Sequence, residues 1–320
     1  MSERGVGCTD VSETEARERS DDPIAAHPLD AYAIGGTLFF NALWGGLQPA
    51  IKVTLLAGMA PIATAAWRTL LGVVAIWLWA RWRRISLDVP ASQRRTIGWL
   101  VVTFLVQISV LHVGTNFTSA SHASVCISAY PLFVVVMAHF FLDRDRLSPL
   151  KLLGVVAAFG GVGIVFADAL GSEGGGNLLG DVLVLFSACL LGCRMVFGKR
   201  VVQKVSPVAY LIRLMTLSLP GFFLASLLGE GIGGHAFSAE ATPQVVMALL
   251  YQGVVISAFC FVGFIHLLKR YVASKLSVFG FTTPICGVLI SHWLLGDPLS
   301  YWLWLGVVLV ALGIYLTNRG

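Results

Sequence analysis

The chain has 320 residues, of which 57% are hydrophobic and only 12% charged, and its mean hydropathy is +0.81. Such a composition lacks the polar surface that would cover a water-soluble globule, so the solvent of most of this chain is lipid. The net charge of +5 calls for no nucleic-acid partner, because the Lys and Arg residues gather in short breaks between apolar runs, where insertion and anionic lipid headgroups place them.

Residues 1–30 are polar and acid-rich without an apolar run, and are expected to form a disordered cytoplasmic tail. They lack the basic start, apolar middle and small-residue cleavage site of a signal peptide, so the first spanning helix is expected to serve as an uncleaved insertion signal. A spanning helix needs about 20 mainly apolar residues. Ten stretches qualify, at 36–56, 60–80, 97–114, 117–141, 150–167, 180–199, 208–228, 244–267, 276–295 and 301–317. Barrel strands would alternate over about ten residues instead of running continuously apolar. The predicted fold is therefore an all-α integral membrane protein of ten transmembrane helices.

The breaks between spans alternate in charge. One set carries Arg81, Arg83, Arg84, Arg94 and Arg95, then Arg144, Arg146 and Lys151, then Lys199, Arg200 and Lys204, then Lys269, Arg270 and Lys275. The other set, near 57–61, 115–118, 168–180, 229–243 and 296–300, contains no Lys or Arg. The positive-inside rule makes the first set cytoplasmic and places both termini there as well.

The sequence also repeats itself. Residues 129–165, AYPLFVVVMAHFFLDRDRLSPLKLLGVVAAFGGVGIV, recur at 282–316 as TTPICGVLISHWLLGDPLSYWLWLGVVLVALGIYL once one loop residue is dropped and the final Val165 is left unmatched. Pro131 answers Pro284, His139 answers His292, Gly154 answers Gly306 and Gly161 answers Gly313. Earlier, ALWGGLQ at 42–48 resembles ACLLGCR at 188–194, and with the same offset Pro61 aligns with Pro207. The implied units are 36–167 and 180–317. Each holds five spans, an odd number, so the second must enter the bilayer inverted relative to the first.

These units resemble the EamA domain of the drug/metabolite transporter superfamily. The resemblance rests on Trp44 and Gly45 followed by Lys52 in the first span, Arg68 in the second, and ASHASVCISAYP at 120–131 in the fourth. An acidic loop follows at Asp143 and Asp145, then Leu147 and Gly154. The usual Glu of that loop is Asp145 here, and Asp297 in the second copy. The resemblance covers residues 36–317. It implies a carrier of small organic solutes in a bacterial cytoplasmic membrane, with a cavity between the two repeats and alternating access, and no cofactor.

Ionisable side chains inside spans are costly unless paired, so each is a functional hypothesis. Arg68 lies about nine residues from the outer end of its span, about 13 Å deep at ~1.5 Å per residue, too deep to snorkel easily. It either bridges backbone carbonyls or meets an anionic substrate group. Lys52 lies nearer the outer mouth, and Arg194 and Arg213 in the inner half, where interfacial anchoring is the alternative reading. Arg194 takes the place of Gln48 in the other repeat. The spans are expected to contain essentially no buried Asp or Glu, since Asp143, Asp145, Asp168, Asp181, Glu230 and Asp297 all sit at helix ends or loops. An excess of buried Arg and Lys favours a solute bearing a carboxylate or phosphate, such as an amino acid. A neutral solute could instead be held by Trp44, Tyr130, Tyr251 and Asn116.

His139 and His292 are equivalent positions suited to gating or to a proton as coupling ion, or else to interfacial contacts with loop carbonyls. His112, His122 and His266 near helix ends invite the same second reading. Pro131 and Pro284 lie within the fourth and ninth spans and are expected to kink them as hinges. The cysteines show neither metal-ligand nor disulfide spacing. An enzyme would need a facing nucleophile and base, whereas Ser291 and His292 are adjacent and point about 100° apart on a helix. The breaks are too short to carry the ligand-binding loops of a scaffold or receptor. A homodimer is compatible with such a chain.

Overall fold

The computed structural model describes residues 30–141, 148–171, 177–230, 242–271 and 278–319. Most of the expected tail, with Asp143 and Asp145, lies outside them. The described residues are helical: α1 Ala31–Gly45, α2 Leu47–Leu56, α3 Pro61–Trp82, α4 Ala91–Phe117, α5 Ala120–Ile127, α6 Tyr130–Phe141, α7 Pro149–Gly171, α8 Leu178–Val202, α9 Pro207–Gly229, α10 Pro243–Leu250, α11 Phe261–Arg270, α12 Thr282–Leu295 and α13 Tyr301–Arg319. A π-helical stretch, Tyr251–Cys260, joins α10 to α11, and a 3₁₀ turn, Val278–Phe281, leads into α12. Taken as crossing units, α1/α2, α5/α6 and α10/π/α11 count once each and the total is ten. Five units are long and apolar enough to cross a bilayer on their own, and four more described helices are shorter apolar segments.

Helix starts follow local chemistry. Asp30, Ser119, Asn177 and Thr242 accept hydrogen bonds from first-turn N–H groups of α1, α5, α8 and α10, satisfying donors that lipid could not. Pro61, Pro207 and Pro243 open α3, α9 and α10, where a missing N–H costs nothing.

The breaks also follow from proline. A proline ring clashes with the carbonyl four residues earlier. For Pro49 that residue is Gly45, the last of α1, and for Pro131 it is Ile127, the last of α5. The spans predicted at 36–56 and 117–141 are thus each two helices. Pro131 and Pro284 sit in the first turns of α6 and α12, so the expected mid-helix kinks are instead interruptions that precede each proline.

Two apolar clusters fill the bundle, one around α3, α4 and α9 and the other around α5, α7 and α13. Buried hydroxyls of Thr37, Thr69, Ser124 and Ser291 donate to carbonyls four residues back in their own helices. Trp82, Trp293 and Tyr301, near helix ends, and Leu228 present exposed apolar surface where lipid would lie. Helices α7 and α13 approach until a Cβ at Gly161 would stand 2.8 Å from the Gly306 carbonyl oxygen and 2.9 Å from the Val310 nitrogen. Backbone cannot yield as a side chain does. Gly161→Val is expected to cost about 1–3 kcal/mol, read as a lower melting temperature of the detergent-purified protein.

Candidate functional site

The site is built from α3, α4, α8, α9 and the π–α11 segment. Arg68, on α3 and 2% exposed, points its guanidinium into a cavity whose walls include Arg194, Phe104, Met215, Ser257 and Phe261. The open space between these side chains is ≈ 10 Å³, about what one water molecule needs, so a solute enters only if the walls move apart. Arg68 Nη2 donates to Ser257 Oγ at 3.0 Å, and that hydroxyl donates to the Gln252 carbonyl at 2.8 Å. The π geometry makes this possible, because Gln252 lies five residues before Ser257. Arg68 Nη1 has no hydrogen-bond partner among the described residues.

Arg194, on α8 and 4% exposed, faces the same cavity. Its guanidinium carbon lies 5.2 Å from the Phe104 ring centre and 5.7 Å from that of Phe261, a cation–π arrangement that partly replaces lost hydration. Arg194 hydrogen-bonds the Tyr210 hydroxyl, while its Nε lacks a partner among the described residues. Two guanidinium groups therefore share one buried space, close enough to repel. The cavity-lining residues include no carboxylate. Such a site offers unfilled, charged donors and suits an acceptor-bearing anion.

The other sequence candidates are placed variously. Trp44 packs edge-on against Phe261, at 5.5 Å between ring centres, and supports the cavity wall from behind. Tyr251 donates to the Leu43 carbonyl at 2.6 Å and closes the α1/α2 break. Gln48, at the start of α2, accepts from Thr115 at 3.0 Å and leaves its Nε2 without a partner among the described residues. Lys52 donates to the carbonyls of Thr115, Asn116 and Thr118 at 3.1, 3.1 and 2.7 Å. It thus serves as the C-terminal cap of α4. Lys52→Met is expected to cost about 1–3 kcal/mol, measured by thermal melting.

Asn116 is exposed at the end of α4, and Arg213 is exposed on α9, so neither joins the cavity wall. Tyr130 is half-buried at the start of α6. His292 is exposed, with its Nδ1 2.8 Å from the Asp297 carbonyl, while Ser291 bonds back to Gly287. The side chain of His139 lies outside the described residues.

The expectation that carboxylates avoid the interior is overturned. Asp181 is 0% exposed and Asp168 is 7% exposed. Both face His122, which is itself buried: Nδ1 lies 3.0 Å from Asp181 Oδ2 and Nε2 lies 3.4 Å from Asp168 Oδ2. Thr118 donates to Asp181 Oδ1 at 2.6 Å, and Ser300 donates to Asp168 Oδ2 at 2.6 Å. These residues do sit at helix ends, but the ends are packed together. A Cβ at Gly180 would stand 2.7 Å from the Thr118 nitrogen, and this close approach brings Asp181 against α5. Position near a span end therefore does not mean exposure where two ends pack together.

The sequence matches the EamA-like transporter family over residues 32–167 and 178–319. An uncharacterized transporter of Archaeoglobus fulgidus is 30% identical over 218 residues, covering 66% of this chain and 74% of that protein. The uncharacterized transporter YoaV of Bacillus subtilis is 23% identical over 88% of this chain and 95% of its own length. A probable amino-acid metabolite efflux pump of Escherichia coli is 26% identical over 88% of this chain and 93% of that protein. One solved crystal structure superposes with a TM-score of 0.67 at 17% identity, covering 89% of this chain and 97% of that one, a likeness of fold. The chain belongs to the EamA-like transporter family and is a multi-pass integral membrane protein of the drug/metabolite transporter type.

Proposed function

We propose that this transporter moves a small organic anion with an apolar body, an amino acid or related metabolite, by alternating access. The observation that carries the reading is the pair of buried guanidinium groups, Arg68 and Arg194, facing one cavity whose lining contains no carboxylate. Each retains a hydrogen-bond donor with no partner among the described residues. Phe104, Phe261 and Met215 would cover the apolar part of the solute. The Escherichia coli relative, described as a probable amino-acid metabolite efflux pump, supports the same class.

Alternating access needs two bodies that rock, and we assign them to residues 36–167 and 180–317 as inverted five-helix repeats. The packing is compatible with that exchange. Helix α7 packs on α13 and α3 on α9, and each pair joins elements that the sequence repeat makes equivalent. The positive-inside rule orients both termini to the cytoplasm, and the bacterial relatives favour the cytoplasmic membrane. Pro131, Pro284 and the helix breaks beside them are the hinge candidates.

The test is uptake by liposomes carrying the purified protein, offered a mixed metabolite pool and read by mass spectrometry, with Arg68→Gln alongside. Enrichment of carboxylate or phosphate solutes by wild type only is the expected result. A lipophilic neutral solute is the second reading, favoured by the apolar part of the cavity wall. Uptake of neutral solutes that Arg68→Gln leaves unchanged would establish it and overturn the anion site.

A further inference from the structure

His122, Asp168 and Asp181 form a buried cluster separate from the arginine cavity, and its hydrogen-bond arithmetic does not close without an extra proton. Both ring nitrogens of His122 face carboxylate oxygens, at 3.0 and 3.4 Å. A neutral imidazole has one N–H, so its bare nitrogen would face an oxygen that is also an acceptor. A further proton, on the ring or on one carboxyl group, turns that repulsive line into a hydrogen bond or an ion pair. The hydroxyls of Thr118 and Ser300 already donate to these carboxylates and do not fill the gap. Two ionised carboxylates and a neutral ring would place two negative charges where side-chain exposure is 6% or less. That arrangement is costly in so dry a setting.

We infer that this cluster binds an exchangeable proton, and that its binding and release drive the transport proposed above, on which the coupling part of the inference rests. The placement suits that task. His122 lies on α5, Asp168 on α7, Asp181 on α8, and Ser300 caps α13. The cluster therefore ties the first five-helix unit to the second at one end of the bundle, where the breaks carry no Lys or Arg. With the proton bound, the four helices are held together. Its loss sets two carboxylates against a bare ring nitrogen and drives this end apart.

Other charged or titratable groups lie beside this part of α5 among the described residues. Cys126, on the same helix, lies near Asp181. Asp297, from the break before α13, accepts from the Ser121 N–H at the start of α5. Lys52, from α2, lies near Asp297 and donates to the Thr118 carbonyl. The Lys52 charge is thus directed at helix-end carbonyls and does not replace the proton at His122.

Two measurements on the purified full chain test the inference. In detergent, titration from pH 9 to 4 with an indicator dye counts bound protons, and wild type is expected to take up about one more than His122→Gln. In liposomes with the mixed metabolite pool, the ratio of uptake with and without an imposed pH gradient is expected to be several-fold for wild type and near one for His122→Gln. Asp168→Asn, which keeps the shape of the carboxyl group, is expected to change both readouts the same way and serves if His122→Gln does not elute as a folded species. Equal proton counts in folded wild type and variants overturn the site. A one-proton difference with an unchanged gradient ratio overturns the coupling and leaves the transport reading intact. A one-proton difference with no uptake of any solute by wild type overturns transport, and coupling with it, while the proton site stands.

Discussion

Arg68→Gln is expected to lower uptake of the anionic solute by about thirtyfold to several thousandfold. Removing one partner of a buried, hydrogen-bonded charge pair costs about 2–5 kcal/mol, and each ~1.4 kcal/mol is tenfold in affinity. The same variant distinguishes a substrate ligand from a structural strut. In the ligand-free protein Arg68 and Arg194 repel across the cavity, and among the described residues the Arg68 guanidinium donates to Ser257 while its Nη1 has no partner. Glutamine can still reach toward that hydroxyl and removes one of the two like charges. The melting temperature of ligand-free Arg68→Gln is therefore expected to match or exceed that of wild type. A large fall in melting temperature would make Arg68 a strut and would remove the main support for the anion site. Arg68→Lys is expected to recover little, since a point charge on a flexible stem does not reproduce a planar fork of donors.

The largest effect on stability is expected from Asp181→Ala. This carboxylate is fully buried and accepts from Thr118 at 2.6 Å while facing His122 at 3.0 Å. Truncation leaves a hydroxyl and an imidazole nitrogen without a partner where water does not reach, a loss of about 3–5 kcal/mol. Little folded protein should then survive extraction, judged by the monodisperse peak in size-exclusion chromatography after a heating series. Asp181→Asn keeps an oxygen for Thr118 and should fall between the two. A wild-type melting profile for Asp181→Ala would mean that the cluster contributes nothing to holding α5 against α8.

Fold class was legible because lipid imposes a simple rule: long uninterrupted apolar runs read as spanning helices. Arg68 was legible for the same reason, as a charge too deep to reach either surface. Three kinds of feature were not. The breaks at Gly46 and near Ser128 are set by Pro49 and Pro131 acting on carbonyls four residues back, so their place is local, but hydropathy passes over it. The partners of Arg194, namely Phe104, Tyr210 and Phe261, come from three other helices, and nothing in an apolar run marks which phenylalanine will stack on a cation. Asp168, Asp181 and His122 were visible as polar residues near span ends. Only the packing at Gly180 converts those ends into interior, and no count of residues from the membrane surface supplies it.

The helix that crosses from Pro243 to Arg270 changes its winding at Tyr251–Cys260. Both of its ends are committed to neighbours: Tyr251 to the carbonyl of Leu43, and Phe261 to the rings of Trp44 and the cation of Arg194. Ordinary winding advances about 100° per residue, so removing a single residue between these two anchors would turn one of them away from its partner by about that angle. The wider winding of that stretch is what lets the chain keep both appointments. The length of this segment is consequently fixed to the residue, even though the bilayer would tolerate a span several residues shorter or longer.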